Sequence, residues 1–182
     1  IKYAASIAHL TGRARVSCES FAGSGWGATF QDMLRVLNWE HINGVNMQIP
    51  ISYKHSLRGD NRARFYPPGL SYQQPWWDHA RGLADYEARL CTLGAAGTHV
   101  AQAILFYPEV DLWVNCRDYK KLEQRSEQFN ALGNLIRQRG FDYDILDDHA
   151  LAENLRWEDG LFKTDYESFE VMILPAMDGA RL

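Results

Sequence analysis

The sequence predicts an α/β protein in two parts: the C-terminal part of a (β/α)8 barrel over residues 1–97, followed by the start of a flavodoxin-like open parallel α/β domain over residues 98–182. Three observations predict this. Strands and helices alternate through the first part, which implies parallel pairing through right-handed crossovers. The long connections follow the strands, where a barrel keeps its active-site loops. After Gly97 the pattern restarts with the nearly continuous apolar run Val100-Ala101-Gln102-Ala103-Ile104-Leu105-Phe106-Tyr107, which suits a parallel strand buried on both faces.

Residues 1–11 read as the end of a helix, with Ile7 and Leu10 on one face and Gly12 as its stop. Residues 13–21 form a strand, and Ala22-Gly23-Ser24-Gly25-Trp26-Gly27-Ala28 a glycine-rich loop. Thr29 is placed as an N-cap, with Asp32 three residues on approximating a capping box. Phe30, Met33, Leu34 and Leu37 follow at helical spacing until Asn43-Gly44. Val45, Met47, Ile49 and Ile51 alternate as the next strand. A long polar loop carrying Arg58, Asp60, Arg62, Arg64 and Pro67-Pro68 leads to a helix over 75–93, with Pro75 near its first turn.

In the second part the apolar strand closes at Pro108. A helix over 118–139 presents Leu122, Phe129, Leu132, Leu135 and Ile136 as its core face, and Gly140 stops it. Residues 141–146 and 171–175 supply two further strands, giving the open βαβ start of a doubly wound sheet. The opening Ile1-Lys2-Tyr3, with neither an initiator Met nor a leader pattern, is expected to lie inside a longer protein.

The net charge is −4, from 19 basic and 23 acidic residues, and no basic run appears, which argues against nucleic-acid binding. No apolar stretch approaches the roughly 20 residues of a membrane helix. Cys18, Cys91 and Cys116 form no C-x-x-C or zinc pattern and read as small buried thiols. The G-x-G-x-G of Gly23, Gly25 and Gly27 is not the dinucleotide fingerprint, and no phosphate-loop Lys follows it.

Glu19, in Val16-Ser17-Cys18-Glu19-Ser20-Phe21, stands out as the candidate for chemistry. It lies near the end of a predicted strand, just before the glycine-rich loop, and a carboxylate there points into a barrel's pocket. Glycoside hydrolysis needs such a carboxylate as nucleophile or as base for water. The alternative is a structural Glu paired with Arg13 or Arg15.

The runs Ser6-Ile7-Ala8-His9-Leu10-Thr11-Gly12 and Val16-Ser17-Cys18-Glu19-Ser20-Phe21, then Trp26 and Gly44-Val45-Asn46, resemble a stretch of the glycoside hydrolase family 106 α-L-rhamnosidases. Pro67-Pro68, Trp76-Trp77 and, in the second half, Phe141-Asp142-Tyr143-Asp144-Ile145-Leu146 and Leu174-Pro175 extend the resemblance over nearly the whole chain. The resemblance implies a glycosidase with Glu19 as a catalytic carboxylate on the penultimate barrel strand and its partner acid on an earlier strand. It further implies an inverting outcome, a calcium requirement for which the sequence offers no matching ligand set, and a second domain of flavodoxin or glutamine-amidotransferase type. The implied partners are a carbohydrate substrate and the remainder of the parent chain, without nucleic acid or membrane. Cys18 departs from the small residue found before the Glu in relatives.

Further candidates for substrate binding are Trp26, as a stacking platform or a loop anchor, and Asn46, facing the pocket or the helix layer. His55, just past the second strand, and Trp77 on the rim complete the set. Arg58, Arg62 and Arg64 form either a carboxylate clamp or a solvated loop. Asp142, Asp144, Asp147 and Asp148 read as a solvated strand end with a helix N-cap. His9 and His41 are expected to satisfy local hydrogen bonds. The competing functional readings are a non-catalytic carbohydrate-binding or scaffold fragment, and a flavodoxin-like ligand-binding protein using residues 98–182.

Overall fold

The computed structural model describes residues 1–179, apart from the side chains of Asn61 and Arg62. The chain runs α1 (Lys2–Leu10), β1 (Ser17–Ser20), α2 (Phe30–Ile42), β2 (Met47–Pro50), α3 (Asp60–Arg64), a 3-10 turn (Trp77–His79), α4 (Ala80–Ala96) and β3 (Ala103–Tyr107). It continues through α5 (Glu109–Val114), α6 (Tyr119–Gln138), β4 (Tyr143–Asp147), α7 (Asp148–Asn154), β5 (Arg156–Glu158), β6 (Leu161–Lys163), β7 (Ser168–Phe169) and β8 (Val171–Ile173). The architecture is mixed α/β with parallel sheets, and the residues group into two units.

The first unit comprises Ile1 and residues 14–97. Its strands β1 and β2 pair in parallel, with Ser17 opposite Met47 and Glu19 opposite Ile49. Side chains alternate across a strand, so Val16, Ser20 and Gln48 are buried while Ser17, Glu19, Met47 and Ile49 are exposed on the other face. The buried face meets α2. That helix starts where Thr29 predicts: the Thr29 hydroxyl accepts the Asp32 N–H at 3.2 Å and the Asp32 carboxylate accepts the Thr29 N–H at 3.1 Å. Met33 and Leu37 of α2 form a core with Phe21, Ala28 and Leu70, and Leu83, Tyr86 and Leu90 of α4 pack against it. The helix expected over 75–93 is divided. Its first turn is 3-10, with the His79 N–H donated to the Trp76 carbonyl, and the α-helix begins at Ala80.

The second unit comprises residues 2–13 and the chain from Thr98 onward. Its parallel sheet has the order β4-β3-β8, with Leu105 of β3 opposite both Ile145 and Ile173. The central strand is buried on both faces, as its apolar run predicts. Ala103 and Leu105 pack with Ile136, Tyr143 and Ile145 on one side. Ile104 packs with Ala101, Leu146 and Phe169 on the other. The α6 backbone approaches β4 closely at Gly133, where a Cβ would collide with the Tyr143 hydroxyl.

Two features depart from the sequence expectation. Helix α1, read as part of the first portion, packs instead in the second unit: Tyr3 meets Tyr107 edge-on at 5.0 Å, and Leu10 lies against the Ile104 and Phe169 cluster. A three-stranded antiparallel sheet, β5-β6-β7, fills residues 156–169 where no strand was expected. Trp157 pairs with Phe162 and Glu158 with Leu161, leaving Asp159 and Gly160, both at positive φ, as a two-residue hairpin turn.

Candidate functional site

Glu19 is the penultimate residue of β1, on the exposed face of the β1-β2 pair. Among the described residues no ion pair or hydrogen bond engages its carboxylate. Arg15, offered above as a structural partner, directs its guanidinium to the carbonyls of Asn46 at 3.0 Å and Cys91 at 3.3 Å. Two residues beyond Glu19 the buried Phe21 sits at φ 72, in the left-handed region. A bulky non-glycine residue there carries backbone strain of about 1–3 kcal/mol, and such strain clusters at working sites.

The other predicted site residues do not converge with it in one cluster. Trp26 donates its indole N–H to the Ala63 carbonyl at 2.7 Å, and its ring edge lies against Gly69, so it anchors the loop. Asn46 is corrected from a pocket role to a structural one. Its Oδ1 accepts the Val16 N–H at 2.9 Å, and its Nδ2 donates to the carbonyls of Ala14 at 3.0 Å and Gly94 at 3.1 Å. It thereby ties the starts of both strands to the end of α4 and has no donor left for a ligand. Asn46→Ala orphans the buried Val16 N–H, whereas the carbonyls of Ala14 and Gly94 belong to exposed residues that water can reach; since a buried unsatisfied group costs about 1–3 kcal/mol, a loss in that range is expected in urea unfolding of the first unit.

His55 is exposed, and it is its backbone carbonyl that engages the Tyr72 hydroxyl, at 3.3 Å. Trp77 is half-buried and meets Tyr53 edge-on at 5.9 Å. Trp76 is the inward member of the Trp pair, packed on Phe30. Arg58 and Arg64 are exposed, and the Arg62 side chain lies outside the described residues.

The cysteines divide. Cys18 and Cys91 are half-buried, with thiols donated to Glu40 and Gln48, while Cys116 is exposed rather than buried. Burial and the neighbouring Glu40 carboxylate push the Cys18 thiol up, which opposes its use as a nucleophile.

The second unit holds a polar cluster that sequence reasoning missed. Asp144 on β4, taken as part of a solvated strand end, is fully buried. Its Oδ1 lies 3.1 Å from His9 Nδ1 and 3.0 Å from the Ser6 hydroxyl. His99 bridges Glu167 at 2.8 Å through Nδ1 and Asp142 at 2.9 Å through Nε2, and Lys2 pairs with Asp142 at 2.8 Å. The His9 and His99 rings stack at 3.8 Å. Only the N-cap part of that acidic cluster is as expected: Asp147 accepts the Ala150 N–H at 2.8 Å.

Burial alone would lower His99, but hydrogen bonds to Asp142 and Glu167 outweigh it and hold the imidazole at about 9. Burial pushes Asp142 up, yet His99 and Lys2 bring it to about 2. Asp144 is likewise held well below the usual carboxylate range, its burial outweighed by His9, Glu167 and Lys2. Glu167 moves up, through burial and the adjoining Asp144 carboxyl.

Calcium takes six to eight oxygen ligands. Among the described residues the one grouping with metal-ligand character is His9, His99, Asp144 and Glu167, whose two imidazoles do not fit that ion. No helix among the described residues is long and apolar enough to cross a membrane.

No family model matches the chain. The sequence is 25% identical over 182 residues to a Formosa agariphila protein named "Putative beta-glucuronidase", an alignment covering 97% of this chain and 14% of that protein. The fold is similar to that of a rhamnosidase from Novosphingobium sp. PP1Y, with a TM-score of 0.70 at 22% identity, over 100% of this chain and 17% of that one. The chain thus spans less than a fifth of the length of either protein, and the structural likeness is one of fold.

Proposed function

We propose that this chain is the late-barrel portion of a glycoside hydrolase related to the family 106 α-L-rhamnosidases, joined to the start of a flavodoxin-like supporting domain. Glu19 is one member of its catalytic carboxylate pair. The observation that carries this reading is the placement of Glu19: one residue from the end of a parallel strand, on the face turned away from the helices, and unengaged by any cation among the described residues. The strained Phe21 just beyond it and the likeness to two large glycosidases support the same reading.

In such a mechanism one carboxyl protonates the leaving oxygen while the other acts as nucleophile or activates water, through an oxocarbenium-like transition state. Glu19 takes the second role. A separation of about 5–5.5 Å from its partner acid would make it the nucleophile, and about 6.5–9.5 Å the base for water. The partner belongs to an earlier strand of the parent protein. Trp77, edge-on to Tyr53, and the exposed His55 border the substrate, while Trp26 sets the loop after β1.

The test is hydrolysis of a panel of aryl glycosides by the full-length parent, with the α-L-rhamnoside and the β-glucuronide both included. Cleavage of one of them names the sugar class, and a parent inert towards every member overturns the proposal.

A further inference from the structure

We propose that His9, His99, Asp144 and Glu167 bind one divalent metal ion of the zinc class, as a closed structural site within the second unit. These residues come from α1, from the segment before β3, from β4 and from the segment before β7. Each offers one ligand atom, and the four atoms lie within 4.8 Å of one another.

Distances and composition agree with that ion. Bonds of about 2.0–2.1 Å in a tetrahedron set ligand atoms roughly 3.3–3.4 Å apart. Asp144 lies 3.1 and 3.2 Å from His9 Nδ1 through its two oxygens, and 3.5 Å from His99 Nδ1. Glu167 Oε1 lies 2.8 Å from His99 Nδ1. Two imidazoles with two carboxylates are donors of the zinc type, and four protein ligands leave no open position, as in structural sites.

A further observation points to a cation here. No donor from another residue reaches Glu167 Oε2, which is buried on a side chain only 6% exposed and faces the fully buried Asp144 carboxyl. Ligation through their lone pairs would leave both imidazoles neutral, so that a dication takes the place of the imidazolium charge opposite Asp142, Asp144 and Glu167, beside Lys2.

The supporting groups of a metal site are also in place. His99 turns its other ring nitrogen to Asp142, which Lys2 holds, and the Ser6 hydroxyl reaches Asp144, the outer partners that orient ligating His and carboxylate groups. Because the two rings stack at 3.8 Å and 17°, binding tilts one imidazole out of the stack so that both lone pairs meet at one ion.

The experiment titrates chelator-treated protein with Zn²⁺ by calorimetry and with Co²⁺ by visible absorption, alongside thermal unfolding. One ion per chain is expected, with the strong absorption of tetrahedral Co²⁺. A rise of roughly 10–20 °C in the second unit's unfolding transition is expected at a hundredfold excess of Zn²⁺ over Kd. Glu167→Gln and His9→Gln, checked for native circular dichroism, should each weaken binding by about a hundredfold or more, no less than the loss of an outer partner costs. Failure of the folded protein to bind stoichiometrically, or binding that both variants leave intact, overturns the proposal and leaves an ion-pair network only.

Discussion

Glu19→Gln in the full-length parent is expected to lower kcat by about 10²–10⁴-fold, the contribution of a positioned acid–base group. The change keeps the size and shape of the side chain and removes only the charge that attacks the sugar or activates water. Since no described residue bonds to the Glu19 carboxylate, nothing inside the chain loses a partner. Stability should therefore stay within about 0.5 kcal/mol, as for ordinary surface changes. KM should move little, because the lost interaction belongs to the transition state. The pairing of a collapsed kcat with an unchanged unfolding curve is what separates a chemical role from a structural one. A variant retaining parental kcat removes Glu19 from the mechanism.

Asp144→Asn is expected to cost the second unit about 3–5 kcal/mol, the usual penalty for removing one partner from a buried charge pair. Asparagine preserves the contact with Ser6 but leaves the cationic side of the network, Lys2 and His99, short of a buried anion. Urea unfolding of the metal-free protein measures the loss, and a deficit below about 1 kcal/mol, the range of an exposed ion pair, refutes the assignment.

The pH dependence has a definite sign. Asp144 is held low, so its contribution is complete above the unfolded carboxylate value of about 3.9 and is lost as the pH falls towards the folded value. His99 is held high, so its contribution is complete below the unfolded value of about 6.5 and fades as the pH rises through about 9. The difference between parent and variant should accordingly be widest in mildly acidic solution.

Local patterns made much of this fold legible. The apolar run ending at Tyr107 announced a strand covered on both sides, and Thr29 with Asp32 announced the start of α2. Alternation around Glu19 and Ile49 brought out two strands, although both are shorter than the pattern suggested because Asn46 bonds the residues leading into them. The β5-β6 hairpin was not anticipated: Asp159-Gly160 is a strong turn signal, but strands of three residues each are too short for an alternating pattern to mark them.

What stayed hidden depends on distance along the chain. His9 and Asp144 are 135 positions apart, and His99 and Glu167 are 68 apart, so no spacing rule connects them. Aspartates at a strand end look solvated until the helix that covers them is known. In the same way Asn46 could be assigned to a pocket only while the three backbone groups it serves were unknown.

The seating of α1 has a consequence for how the molecule assembles. This helix is made before the rest of its unit, yet Ser6 meets Asp144 only after 138 further positions of chain, with residues 14–97 of the first unit in between. Contacts that close so long a loop form late and slowly. The second unit is thus interrupted, and its first helix waits without a seat during synthesis. Cleavage between Gly97 and Thr98 would not release a finished domain: β4 would lose the helix that covers it, and Asp144 would face water with its nearest donors on the other fragment.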